Sequence, residues 1–230
     1  MRAFLFDVDD TLYDQAQPFE RAYIKIFGEG HRDMDEIFAA SRKYADEVFE
    51  AARSGQISME RMYIYRIKEA LKEFDVPISD GDALEFQRYY ERFQMDIQMS
   101  EEIKRILGLL KERAVTGVIT NGPAQHQWDK INALGLTEWI PERNMLISGE
   151  VDITKPDRKI FDLAVCRLGL NREETYFVGD SQKNDIAGAA DAGWKTIWFN
   201  RRNRKKEASV HPDYTVYSER ELGELIEKLC

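Results

Sequence analysis

The apolar positions of this chain keep two different rhythms. Residues 3–6 form a short continuous apolar run, the pattern of a buried strand. From about residue 18 to residue 96 the period is helical throughout. Phe19, Ala22, Tyr23, Ile26 and Phe27 share one face behind Pro18, and Gly28 closes it. Asp33 with Glu36 is a capping-box variant opening a second helix, which carries Ile37, Phe38, Tyr44, Ala45, Val48, Phe49 and Ala52 and ends at Gly55. Ser58 starts a third, with Tyr63, Ile67, Ala70, Leu71 and Phe74 ahead of Pro77. A fourth runs from Ser79 through Leu84, Phe86, Tyr89, Tyr90 and Phe93. No strand pattern interrupts these residues, so the stretch reads as a helical bundle of its own. It holds thirteen of the 22 Phe and Tyr residues, and their helical spacing favours core filling over a stacking surface for a base or sugar.

From Ser100 onward helices and strands alternate. Ser100 caps a helix bearing Ile103, Ile106, Leu107 and Leu110. Strands are expected at 115–119, 145–147, 175–178, 195–199 and near 214–216. Between them lie a helix running to Leu134 and Gly135, one opened by Pro156 and closed by Gly169, and a small-residue helix over 185–192. A last helix carries Leu222, Leu225, Ile226 and Leu229. Alternation of this kind predicts an α/β, doubly wound parallel sheet. The domains expected are 1–14 with 98–230 as the core and 15–97 as an all-helical insertion.

Composition narrows the function classes. At 230 residues, 43% hydrophobic and 33% charged, the chain suffices for one core with a sizeable insertion. A net charge of −9 argues against a nucleic-acid polymer as partner, so an anionic substrate must be won by local positive charge. Cys166 and Cys230 lie far apart and form neither a disulfide framework nor a zinc pattern, which points to a reducing compartment. With no signal-peptide pattern and no run of membrane-spanning length, a cytoplasmic protein without a membrane partner is expected.

The first strand empties into Asp7, Asp9 and Asp10, with Thr11 among them. Alone, such a cluster reads equally well as an Asx-turn or helix start. An EF-hand loop from Asp7 fails, because Leu12 stands where glycine is needed and Pro18 where a bidentate Glu is needed. A receiver domain also opens with paired acids but is about half this length. What remains is an aspartyl nucleophile at Asp7, with Asp9 as acid/base and a divalent metal beside them. That chemistry demands another acid, a cation and donors for phosphate oxygens. Thr120 and Asn121, Lys155, and Asp180 each follow a predicted strand, and in a parallel sheet those ends share one edge. Asp7 then attacks phosphorus, and Asp9 protonates the leaving alkoxide and afterwards deprotonates water. Mg²⁺ sits on Asp7, the Asp9 backbone carbonyl and Asp180, with Asp185 just behind it. Lys155 balances charge on nucleophile and phosphate, and Thr120 with Asn121 holds phosphate oxygens.

Four segments carry a resemblance to the haloacid dehalogenase (HAD) superfamily: Asp7-Val-Asp-Asp-Thr11, Ile119-Thr-Asn-Gly122, Lys155-Pro-Asp157, and Gly179-Asp-Ser181 continued through Asn184-Asp185. The resemblance covers nearly the whole chain. It implies a Rossmann-like core, a helical C1-type cap inserted between the first two motifs, and Mg²⁺-dependent phosphatase chemistry on a small phosphomonoester such as a nucleoside monophosphate or sugar phosphate. Within the superfamily the chain is most similar to the pyrimidine 5′-nucleotidase and acylneuraminate-9-phosphatase group. Members that dehalogenate 2-haloacids lack an acid at the position of Asp9, and phosphonatases also depart there, so phosphoryl transfer is favoured. Asp152 occupies a place where relatives often carry glycine. The rivals are a phosphomutase or phosphotransferase with the same nucleophile, and a phosphate-binding protein without catalysis.

Other polar residues are read more plainly. Gln125, His126, Gln127 and Trp128 are expected to form a solvated helix start, and Tyr13 with Asp14 a hinge. The basic run Arg201, Arg202, Arg204, Lys205 and Lys206 is expected to be a solvated loop rather than an anion site.

Overall fold

The computed structural model describes residues 1–29 and 34–230. They divide into two compact units, one made of Met1–Asp14 with Ile97–Cys230 and the other of Gln15–Asp96.

The first unit is built on six parallel strands: β1 (Ala3–Phe6), β2 (Val115–Thr120), β3 (Met145–Ile147), β4 (Thr175–Gly179), β5 (Lys195–Phe199) and β6 (Tyr214–Val216). Their order is β3-β2-β1-β4-β5-β6, so β1 lies centrally between β2 and β4. Its four residues are all buried, which is why the run is continuously apolar rather than alternating. The alternation appears instead in what each residue meets. Phe4 and Phe6 pack with Ile103, Ile106, Leu107, Leu222 and Ile226 on one face, while Ala3 and Leu5 pack with Ile160, Phe161 and Ala164 on the other.

The helices of the second unit are α1 (Ala16–Phe27), α2 (Met34–Arg53), α3 (Met59–Lys72) and α4 (Asp80–Gln94). The Ser58 side chain accepts from Arg61 N–H, and Ser79 forms a reciprocal capping box with Asp82. Asp33, the expected cap of α2, lies outside the described residues. The aromatics are mainly core: Phe19 meets Phe38, Phe86 and Tyr90 edge-on at 5.3, 5.0 and 5.8 Å.

In the first unit the remaining helices are α5 (Glu101–Lys111), α6 (Ala124–Ala133), α7 (Ser148–Val151), α8 (Arg158–Leu168), α9 (Gly188–Asp191) and α10 (Glu219–Leu229). Two expected boundaries move. Pro156 stands outside α8, which starts after Asp157, whose carboxylate caps Lys159 N–H at 2.9 Å. The small-residue helix begins earlier than expected, at Gln182, as a wide π-type turn in which Ile186 N–H reaches Ser181 O at 3.1 Å. Among the described residues no helix is long and apolar enough to cross a membrane.

Candidate active site

The sheet brings its polar strand ends to one edge. Asp7 extends β1 by one ladder bond, its N–H reaching Val178 O at 2.9 Å, which sends its side chain past the apolar layer. Asp180 follows β4, and Thr120 closes β2. Lys155 arrives on the longer connection after α7. Asp152, at φ 52°, turns that connection through the left-handed region where glycine is favoured. The side chain of Asn121 brackets the Lys155 backbone, accepting from its N–H at 2.9 Å and donating to its carbonyl at 2.9 Å.

Lys155 places its ammonium 2.6 Å from Asp7 Oδ1 and 2.7 Å from Asp185 Oδ1. Carboxylate oxygens of Asp7, Asp180 and Asp185 all lie within 4.8 Å of one another. Burial lifts Asp7 to a pKa of about 7; Lys155 opposes this, and the charges of Asp185 and Asp9 add to it. Asp180 is also raised well above its ordinary value, by burial and by the charge of Asp10, against the pull of Arg204. Burial lowers Lys155, yet the two acids beside it outweigh that and keep it firmly protonated. Asp185 therefore belongs to the acidic cluster itself. The donor set fits a hard divalent cation: the buried carboxylates of Asp7 and Asp185 and the half-buried carboxylate of Asp180 crowd together.

Close packing fixes this edge. A Cβ on Gly179 would stand 2.4 Å from Asp185 Oδ2, so only glycine lets that carboxylate lie against the strand. Gly122, at φ 149°, leaves room for the Gln127 amide, which a Cβ would meet at 2.6 Å.

Asp9 faces elsewhere. Its carboxylate accepts from Lys130 Nζ at 2.8 and 2.9 Å, from Tyr13 OH at 2.5 Å and from Gln127 Nε2 at 3.2 Å. Gln127 also donates to Asn121 O at 3.0 Å and accepts from Thr120 Oγ1 at 3.2 Å. The solvated helix start expected at 125–128 is thus corrected for Gln127, which is buried beneath the Thr120 turn, and Trp128 is tied to Glu150 at 2.6 Å. Lys130, paired with Asp9, is a residue that sequence reasoning missed. A signal existed: Gln127, Lys130 and Ile131 form one helical face, and two of the three are polar.

The basic run is corrected at Arg201, Arg202 and Arg204, whereas Lys205 and Lys206 are exposed as expected. Arg201 and Arg202 keep only 12% and 13% of their side chains exposed. Arg202 holds the buried Asp10 carboxylate through Nε at 3.2 Å and Nη2 at 2.9 Å, and also bonds Asp14. Arg204 reaches Asp180 Oδ2 at 3.2 Å. These cations fold inward because Asp10, Asp14 and Asp180 would otherwise be buried or half-buried without compensation.

A family model described as haloacid dehalogenase-like hydrolase matches residues 1–193. Over 122 residues, 53% of either chain, the sequence is 35% identical to a pyrimidine 5′-nucleotidase of Escherichia coli. It is 28% identical to a glyceraldehyde 3-phosphate phosphatase of Methanopyrus kandleri, across 100% of this chain and 99% of the relative. In fold it is similar to the Bacillus subtilis HAD-hydrolase YfnB bound to magnesium, with a TM-score of 0.73, 21% identity and 98% of each chain covered.

Proposed function

Since the chain belongs to the haloacid dehalogenase-like hydrolases, we propose that it is a Mg²⁺-dependent phosphatase acting on a small phosphomonoester, a nucleoside monophosphate or sugar phosphate. The observation that carries this reading is the buried Lys155 ammonium shared by Asp7 and Asp185 at a strand edge where Asp180 also ends. The names of the relatives, nucleotidase and sugar-phosphate phosphatase, support the substrate class.

A carboxylate oxygen of Asp7 forms a bond to phosphorus as the ester P–O bond breaks. The electron pair stays with the ester oxygen, which takes a proton from Asp9. The alcohol leaves, and Asp7 carries the phosphoryl group. Water then attacks phosphorus, gives a proton back to Asp9, and phosphate departs from Asp7. Asp7, Asp180, Asp185 and the Asp9 backbone carbonyl would hold Mg²⁺, which when bound screens the phosphate and the crowded acids. Lys155 neutralises charge on the nucleophile and on the transferring group. Thr120 and Asn121 border the phosphate, with the Asn121 side chain committed to keeping Lys155 in place. Residues 1–14 and 98–230 do the chemistry, and the helical 15–97 select the substrate. Cys166 and Cys230 are both unpaired and exposed, in keeping with a cytoplasmic setting.

The test is phosphate release from p-nitrophenyl phosphate with Mg²⁺ and again with excess chelator, followed by a panel of nucleoside and sugar monophosphates. Release that the chelator abolishes is the expected result. Folded protein with metal that releases no phosphate from any of them would overturn the proposal.

A further inference from the structure

Lys130 lies on α6 with 2% of its surface exposed, beside Gln127, also at 2%, and the fully buried Ile131. Burying an ammonium costs several kcal/mol, and an apolar side chain of similar volume serves stability at least as well. Its presence therefore calls for a reason outside packing. Its Nζ contacts both oxygens of Asp9, at 2.8 and 2.9 Å. Tyr13 OH and Gln127 Nε2 reach the same carboxylate. The acidic cluster found among the described residues, Asp7, Asp180 and Asp185, does not include the Asp9 carboxylate.

We propose that Lys130 is a positioning residue for Asp9, anchoring one carboxylate oxygen so that the other is presented to the ester oxygen leaving phosphorus. This rests on the phosphatase reading above, in which Asp9 protonates that oxygen. Two contacts at nearly equal distance are what such an anchor needs: one is released when Asp9 turns toward the substrate, and the other remains as a pivot. Lys130 is built for this by its place on α6. Gln127, one turn earlier, links the same carboxylate to the Thr120–Asn121 turn, so the acid/base and the residues bordering the phosphate are set by one helix face.

The consequence is a dependence on the leaving group. A nitrophenolate leaves with little help, whereas phenolate needs the proton more. The value of kcat/KM reports the step in which the ester oxygen departs, so it is the quantity to compare. In Lys130→Met, kcat/KM for phenyl phosphate should fall roughly tenfold further than for p-nitrophenyl phosphate, a part of the roughly 10²–10⁴-fold that general acid catalysis supplies. Lys130→Arg, which keeps a cation, should restore most of that ratio. Tyr13→Phe, which removes one hydroxyl from the same carboxylate, should move the ratio in the same direction by less, and it serves if Lys130→Met does not fold. Equal losses on both esters in folded variants, or no loss, would overturn the inference while leaving the phosphatase reading intact. Wild-type protein that hydrolyses neither ester with Mg²⁺ would overturn both.

Discussion

Asn121 holds Lys155 by its backbone, using both ends of one side-chain amide at 2.9 Å each. A residue of one motif thereby sets the position of the cation supplied by the next. Asn121→Ala removes both bonds without touching the carboxylates. Displacements of this kind cost about 10²-fold in rate, so kcat for p-nitrophenyl phosphate should fall by about that factor. The thermal midpoint should fall only slightly. Unchanged kcat would mean that Lys155 is positioned without Asn121.

Gly179→Ala tests the closeness of the strand to Asp185. The added Cβ would stand 2.4 Å from Oδ2, so the carboxylate must move. The expected cost is about 1–3 kcal/mol of stability, as for other overpacked sites. Mg²⁺ affinity measured by calorimetry should drop as well, because Asp185 belongs to the acidic cluster.

Proton release should accompany metal binding. Asp7 titrates at about 7 in the folded chain against an ordinary 3.8, so between those values the fold holds a proton that the unfolded chain has lost. This group's contribution to stability therefore declines as pH rises from about 4 to about 7 in metal-free protein. A cation competes with that proton. Mg²⁺ affinity should increase with pH and level off above about 7, and titrations in buffers of different ionisation enthalpy should show protons released below it. Affinity independent of pH across this range would contradict the placement of Asp7 among the ligands.

Arg202→Met should remove two close guanidinium bonds from the Asp10 carboxylate, whose side chain is 3% exposed, leaving Arg204 Nη2 at 3.8 Å. Removing one partner of a buried pair costs about 3 kcal/mol or more. Asp10 also sits at φ 57°, where glycine is at ease. The double variant Asp10→Gly, Arg202→Met should therefore recover at least about 1 kcal/mol in denaturant unfolding. Additive losses would show that the two residues are not coupled.

What could be read from the sequence followed from short range. A buried central strand has to be apolar on both faces, so 3–6 and the acids after it stand out, as do the polar ends of the strands closing at Thr120 and Gly179. Asp152 was flagged by the resemblance alone, as a place where relatives often carry glycine, and its backbone is left-handed here. Ser58, Ser79 and Ser100 mark their helices because each caps a backbone N–H three residues ahead. What was not legible depends on partners far along the chain. Arg202 meets Asp10 across 192 residues, and Lys130 meets Asp9 across 121. Charge spacing near Arg202 or Lys130 says nothing about such partners, so solvent was the default expectation for the basic run and for the start of α6.

The central claim is that Asp7 carries the phosphoryl group. The most direct measurement is to quench the enzyme in acid while it turns over a phosphomonoester radiolabelled in its phosphate, and to follow label retained on the protein. Wild type should retain label that hydroxylamine removes, as an acyl phosphate does, and Asp7→Asn should retain none and release no phosphate. Substantial phosphate release by folded Asp7→Asn, with no label held by either protein, would contradict the account.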